Sequence, residues 1–179
     1  ADVGVAMGES GTDVAKEASD IIITDDNFST LIKAIREGRT IYRNILKAII
    51  YLLSGNLSEL SLVFFAAVLG MPTPLLPTQI LWINIVTDGL PALALATDTT
   101  HPDILKDEPR NPKTPILTSQ KLSFICVVGF GLSLTLLLCF YFLIRHISDD
   151  AARTVIFNAL IFSHLCIAFL VRGQSLFRV

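Results

Sequence analysis

The sequence predicts a mainly α-helical membrane bundle of four transmembrane helices preceded by a short α/β piece, and three observations carry this. Four apolar runs have the length a bilayer demands, about 20 residues each, over 46–69, 75–97, 122–144 and 154–171. Residues 1–26 lack such a run and alternate short β-rich and helix-like stretches instead. The second apolar run also contains Pro77-Thr-Gln-Ile-Leu-Trp-Ile-Asn-Ile-Val-Thr-Asp-Gly-Leu-Pro91, which brings an amide, a hydroxyl, a carboxylate, a glycine and a proline into greasy surroundings. With 52% hydrophobic residues and a mean hydropathy of +0.62, the composition is that of a membrane protein. A net charge of −2 gives no footing for a nucleic-acid partner. Cys126, Cys139 and Cys166 fall inside apolar runs without metal-ligand spacing and read as packing residues.

In chain order, residues 3–7 and 20–24 read as short strands and Ser10 to Ala18 as the helix between them, with Ser10 and Asp13 fitting a helix-start pattern. The turn holding Gly8 and Gly11 has the make-up of a phosphate-binding loop, but so short a glycine pattern reads better as plain turn chemistry. Two strands and a helix cannot bury a core, so the rest of that sheet is expected upstream. The opening at Ala1, without a methionine or signal peptide and inside a strand, agrees with a fragment of a longer polypeptide. Asp25-Asp26-Asn27 reads as a turn and helix cap rather than a catalytic acid pair. Helix is predicted from Phe28, with a bend or break at Gly38, and then from Arg39 without interruption into the first apolar run.

Asn84, Thr87 and Asp88 stand at i, i+3 and i+4, which puts their oxygens on one face of an ideal helix. Pro91 has no N–H and collides with the carbonyl of Thr87, while Gly89 loosens the backbone between them, so this helix is predicted to break. A lone carboxylate at the bilayer centre costs roughly 2.5 to 3.5 kcal/mol on insertion scales, so Asp88 needs compensation. The other ionisable side chain between residues 48 and 97 is Glu59, with Asn56 three residues before it. Asn56, Glu59, Asn84, Thr87 and Asp88 together offer oxygen ligands and two negative charges, which suits a divalent cation such as calcium. Hydrogen-bonded helix packing explains any one of these polar residues but not two intramembrane carboxylates beside a Gly-x-Pro break. In the fourth run the polar residues are Asn158, Ser163 and His164, and the histidine reads as a hydrogen-bonded packing residue before it reads as part of an ion path.

The turn Gly70-Met-Pro-Thr-Pro74 joins the first two runs, and a proline-rich polar loop, 98–121, joins the second to the third. Lys33, Arg36, Arg39, Arg43 and Lys47, then Lys106, Arg110, Lys113 and Lys121, then Arg172 and Arg178 fall on one side of the membrane; Arg145 and Arg153 fall on the other. That asymmetry predicts a cytosolic N-terminus, long loop and tail, 172–179.

The runs Val3-Gly-Val-Ala-Met-Gly8, Gly11-Thr-Asp-Val-Ala-Lys16, Asp25-Asp-Asn-Phe-Ser-Thr30, Glu37-Gly-Arg39, Leu81 to Pro91 and Pro109-Arg-Asn-Pro-Lys113 together resemble the calcium-transporting P-type ATPases. The resemblance covers nearly the whole chain. It implies that residues 1–26 close a cytosolic, haloacid-dehalogenase-like phosphorylation domain. Residues 27–45 would then form a helical stalk, and 46–171 the family's fifth to eighth membrane helices. It implies calcium as the transported ion, with Asn56, Glu59, Asn84, Thr87 and Asp88 in the places of its ligands. The fourth run departs from the pattern: where two-ion pumps have a carboxylate, the nearest match here is His164 or a neighbour. Retained Glu59 favours two ions per cycle and the lost carboxylate favours one. The family's phosphorylated Asp-Lys-Thr-Gly-Thr motif, its magnesium-holding loop and its fourth membrane helix are not in these 179 residues. ATP and Mg2+ would therefore be bound by upstream domains of the same polypeptide, and the chain alone is expected neither to hydrolyse ATP nor to transport. Besides those domains, the expected partner is the lipid bilayer of a plasma or organelle membrane. A pump for manganese or monovalent ions, and a channel or passive bundle, are the competing readings.

Overall fold

The computed structural model describes residues 3–99, 104–106, 108–109 and 113–173. The chain divides into two compact units, one drawn from Ala1–Tyr42 and Thr99–Lys106, the other from Arg43–Asp98 and Asp107–Val179. Much of the motif at 107–113, Arg110 and Arg178 lie outside the described residues, as does the tail beyond Gly173.

In the first unit, strand β1 (Val5–Met7) pairs in parallel with β2 (Ile21–Ile23), Val5 opposite Ile21. Helix α1 (Asp13–Glu17) makes the crossover between them. Ala6 and Ile23 are buried while Val5, Ile21 and Ile22 stay exposed, the outcome expected of a sheet too small to cover both faces. The helix begins later than its sequence pattern predicts: Thr12, not Ser10, is the cap, its hydroxyl accepting from the Ala15 amide at 3.2 Å. Ser10 is engaged elsewhere, because its amide and that of Glu9 donate to the Asp26 carboxylate at 2.6 and 2.8 Å. Gly8 sits where an added Cβ would meet the Thr24 backbone at 2.8 Å, so the glycine serves close strand approach. Asp25 accepts from the Thr30 hydroxyl and the Asn27 amide, and Asn27 in turn caps the next helix at Ser29. The acid pair is structural, as predicted.

Helix α2 (Phe28–Val68) is one continuous helix of 41 residues. The predicted break at Gly38 does not occur. Glycine keeps its N–H, so it weakens a helix by about 1 kcal/mol without removing a hydrogen bond, and neighbouring turns carry it. The helix ends at Gly70, whose φ of +66° reverses the chain while the Met71 amide returns to the Ala66 carbonyl at 2.9 Å.

The second unit contains the later part of α2, then α3 (Pro77–Trp82), a π turn (Ile83–Thr87), α4 (Gly89–Ala96), α5 (Ser119–Leu143) and α6 (Asp149–Gly173). Among the described residues, four helical stretches are long and apolar enough to span a bilayer: Phe28–Val68, Pro77–Ala96, Ser119–Leu143 and Asp149–Gly173. Lipid is as apolar as leucine, so packing rather than water exclusion must hold such helices together. Close fits are visible where it matters. Leu57 of α2 lies over Gly129 of α5, where an added Cβ would meet it at 2.9 Å. Leu62, Ala66, Ile83, Phe140, Ile156 and Leu160 form the centre of a buried cluster drawn from α2, the π turn, α5 and α6. Phe64, Leu81, Phe142, Phe162 and Phe169 face outward, as lipid-facing side chains do.

Polar clasps close the two ends of this unit. At one end the Asp98 carboxylate accepts from Lys47 at 3.0 Å and from Arg172 at 3.2 Å, while its backbone carbonyl accepts from the Asn44 side chain at 2.7 Å. At the other, Arg153 of α6 donates to the Thr73 carbonyl at 2.9 Å and pairs with Asp150.

Candidate metal centre

The predicted interruption of the second span is present, in a different form. The Asp88 amide bonds to the Ile83 carbonyl, five residues back, at 2.8 Å, so the chain gains a residue in one turn instead of unwinding at Gly89. Ile83 and Asp88, five residues apart, are both buried, while Asn84 between them is exposed. The three residues predicted to share one face differ in exposure: Asn84 is exposed, while Thr87 and Asp88 are buried. Pro91 does free the Thr87 carbonyl, which lies 3.4 Å from the Tyr51 hydroxyl.

Glu59 on α2, Asp88 at the end of the π turn and His164 on α6 converge, with one ligand atom from each within 4.8 Å of the others. Ligands around one calcium ion lie up to about 5 Å apart, twice the 2.3 to 2.6 Å bond, so the three sit at single-ion spacing. Glu59 is 5% exposed, Asp88 2% and His164 0%. The Asp88 Oδ1 atom accepts from Tyr51 at 3.1 Å and lies 2.7 Å from His164 Nδ1. Asp88 Oδ2, Glu59 Oε1 and the Ser54 hydroxyl are buried without a hydrogen-bond partner among the described residues. Unpartnered buried oxygens are costly, at about 1–3 kcal/mol each and more for charged groups, and a cation is the species that satisfies carboxylate lone pairs.

Asn84 reaches the cluster from its outward position, its amide donating to Glu59 Oε2 at 3.4 Å and to the Ile80 carbonyl at 2.9 Å. Asn56 is exposed. The covered face of α2 runs through Tyr51, Gly55, Ser58, Glu59 and Leu62, and Asn56 stands at its rim. Asn158 and Ser163 bond to carbonyls one turn back in their own helix, at 2.8 and 2.7 Å, and take no part.

Two residues of the cluster were not assigned to it from sequence. His164 is a hydrogen-bonded packing residue, as read, but its partner is the site carboxylate itself. Tyr51 does have a signal in the sequence, since Tyr51, Gly55, Ser58 and Glu59 share the helical spacing that marks one face of α2. The distance along the helix places this group in depth: twelve residues from Lys47 to Glu59 and nine on to Val68 are about 18 and 14 Å, so the carboxylate is near mid-span.

Residues 72–179 match the family model described as "Cation transporting ATPase, C-terminus". The chain belongs to this family. Among curated relatives of this family, a calcium-transporting ATPase 1 of Bacillus cereus is 43% identical over 98% of the chain and 22% of that protein. A calcium-transporting ATPase of Bacillus subtilis is 44% identical over 98% of the chain and 20% of that protein. An endoplasmic reticulum-type calcium-transporting ATPase 4 of Arabidopsis thaliana is 48% identical over 72% of the chain and 12% of that protein. The chain thus spans about a fifth of the length of the first two. The family resemblance carried by the sequence motifs is borne out.

Proposed function

We propose that this chain supplies the ion-binding membrane helices of an ATP-driven P-type pump that moves calcium and returns protons. The observation that carries the reading is the buried pair Glu59 and Asp88, on two different helices, whose Oε1 and Oδ2 atoms have no hydrogen-bond partner among the described residues. Two carboxylates at mid-span call for a divalent cation, and the names of the relatives choose calcium.

Glu59, Asp88 and Thr87 form the inner side of the proposed site. Asn84 and Asn56 stand on its outer side, where further ligands from the longer polypeptide complete the coordination. Residues 1–26 close a haloacid-dehalogenase-like phosphorylation domain in this reading, 27–45 form the stalk, 46–171 the membrane part and 172–179 a cytosolic tail. Phosphorylation upstream then acts on Glu59 through α2, whose first turns and whose site residue belong to the same helix. Once the ion has left, protons on Glu59 and Asp88 relieve the repulsion between facing carboxylates, which gives counter-transport. The Lys47, Asp98 and Arg172 end faces the cytosol.

The test is phosphorylation of the full-length protein by ATP at varied ion concentration. Calcium-dependent phosphoenzyme is the expected result. Dependence on manganese, sodium or potassium instead would overturn the ion assignment, and no phosphorylation with any ion would leave a channel or passive bundle.

A further inference from the structure

We infer that His164 is a positioning residue that, together with Tyr51, holds the Asp88 carboxylate in one orientation so that Oδ2 is the atom presented to the ion. The inference rests on Asp88 being an ion ligand. Its basis is how the two carboxylate oxygens differ. Oδ1 lies 2.7 Å from His164 Nδ1 and accepts from the Tyr51 hydroxyl at 3.1 Å. Oδ2 is buried and accepts from nothing among the described residues. The torsion that swings a carboxylate is broad and nearly two-fold, so without such holding the two oxygens would exchange freely.

The ring does not fit the alternative role of a nitrogen ligand. With an ion on Oδ2, Asp88 is ionised and only accepts, so the hydrogen in the short bond is then on Nδ1, and a nitrogen that carries that hydrogen has no lone pair for a metal. Glu59 Oε1 lies 4.0 Å from Nδ1, beyond hydrogen-bond reach. The opposite nitrogen, Nε2, is 3.5 Å from the Ser58 hydroxyl, which donates to the Gly55 carbonyl at 2.7 Å, so that edge is turned onto α2 and away from the open oxygens. Gly55 makes room for the ring. A Cβ there would lie 3.0 Å from His164 Cε1 and 3.4 Å from both ring nitrogens. A fully buried imidazole seated on a glycine and bonded to one oxygen of a carboxylate is a built arrangement. Losing a group that orients a metal ligand typically weakens metal affinity about 10- to 100-fold.

The experiment is equilibrium binding of radiolabelled calcium to the purified full-length protein, with zinc as competitor because imidazole nitrogen favours it. His164→Ala is expected to weaken calcium about 10- to 100-fold. His164→Asn, which keeps an N–H donor near the place of Nδ1, is expected to recover most of that loss. Gly55→Ala, which crowds the ring, is expected to weaken binding when His164 is present and to add nothing in a His164→Ala background. The preference for calcium over zinc stays the same throughout. Unchanged affinity in His164→Ala, failure of Asn to do better than Ala, or additive losses with Gly55→Ala would each overturn the positioning role. A selective loss of zinc in His164→Ala would overturn it in favour of direct ligation. If the unsubstituted protein binds manganese and not calcium, the calcium reading fails, and the same order of variants read with manganese still decides the role of His164.

Discussion

Two pairs of carboxylates in this chain differ in their hydrogen-bond partners. Asp25 and Asp26 are saturated: Thr30 and the Asn27 amide hold Asp25 below the ordinary carboxylate range, and Ser10 with the Glu9 amide does the same for Asp26. A lowered folded-state pKa contributes stability that is present above the unfolded value and is lost as pH falls through the folded one. The turn joining residues 8–11 to Asp26 is therefore expected to stay closed at neutral pH and to loosen below about pH 4. Hydrogen exchange at the Glu9 and Ser10 amides checks this. Protection is expected to fall on acidification and to lose that pH dependence in Asp26→Asn; protection lost by pH 6, or unaltered by the substitution, would contradict it. Glu59 and Asp88 keep unpartnered oxygens instead. The turn at Asp25 was legible in the sequence because its partners, Asn27 and Thr30, are local, whereas Asp26 is held by the Glu9 and Ser10 amides, which sequence spacing does not bring to it. His164 was less legible because what decides its role is a partner 76 residues away.

Hydrogen-bond accounting governs the elements as well. Proline removes a donor and glycine does not, so the Gly-x-Pro segment disrupts its helix while Gly38 passes through an intact one. The sequence revealed that the second span is interrupted, but not that the interruption is a π turn, because a one-residue insertion leaves the same residues in the same order. The same substitution at two glycines of α2 and its end is expected to have opposite signs. Gly38→Ala meets nothing within 4 Å and should stabilise the helix by about 0.5–1 kcal/mol. Gly70→Ala places a side chain at φ +66° and should destabilise by about 1–2 kcal/mol. Thermal unfolding of the full-length protein measures both; a fall in Tm for Gly38→Ala, or none for Gly70→Ala, would contradict the assignment of one uninterrupted helix ending in a left-handed turn.

At the scale of the membrane unit, its two ends and its middle do different work. The Asp98 clasp ties α2, α4 and α6 at one end, Arg153 ties α6 to the 70–74 turn at the other, and the carboxylates lie between. Single cysteines at Thr73 and Ser148 are expected to react with an impermeant thiol reagent from the side opposite to one at Thr97; labelling of all three from one side would contradict four crossings. Charge asymmetry chooses the cytosolic side in the sequence, and the clasp brings Lys47, Asp98 and Arg172 together at one end as that choice requires. The central claim is that Glu59 and Asp88 hold the transported ion, and ATP-driven calcium uptake into vesicles by the full-length protein beside its Asp88→Asn and Glu59→Gln variants tests it most directly. Uptake in the unsubstituted protein that both variants abolish is the expected result. Uptake that survives in either variant would contradict the claim.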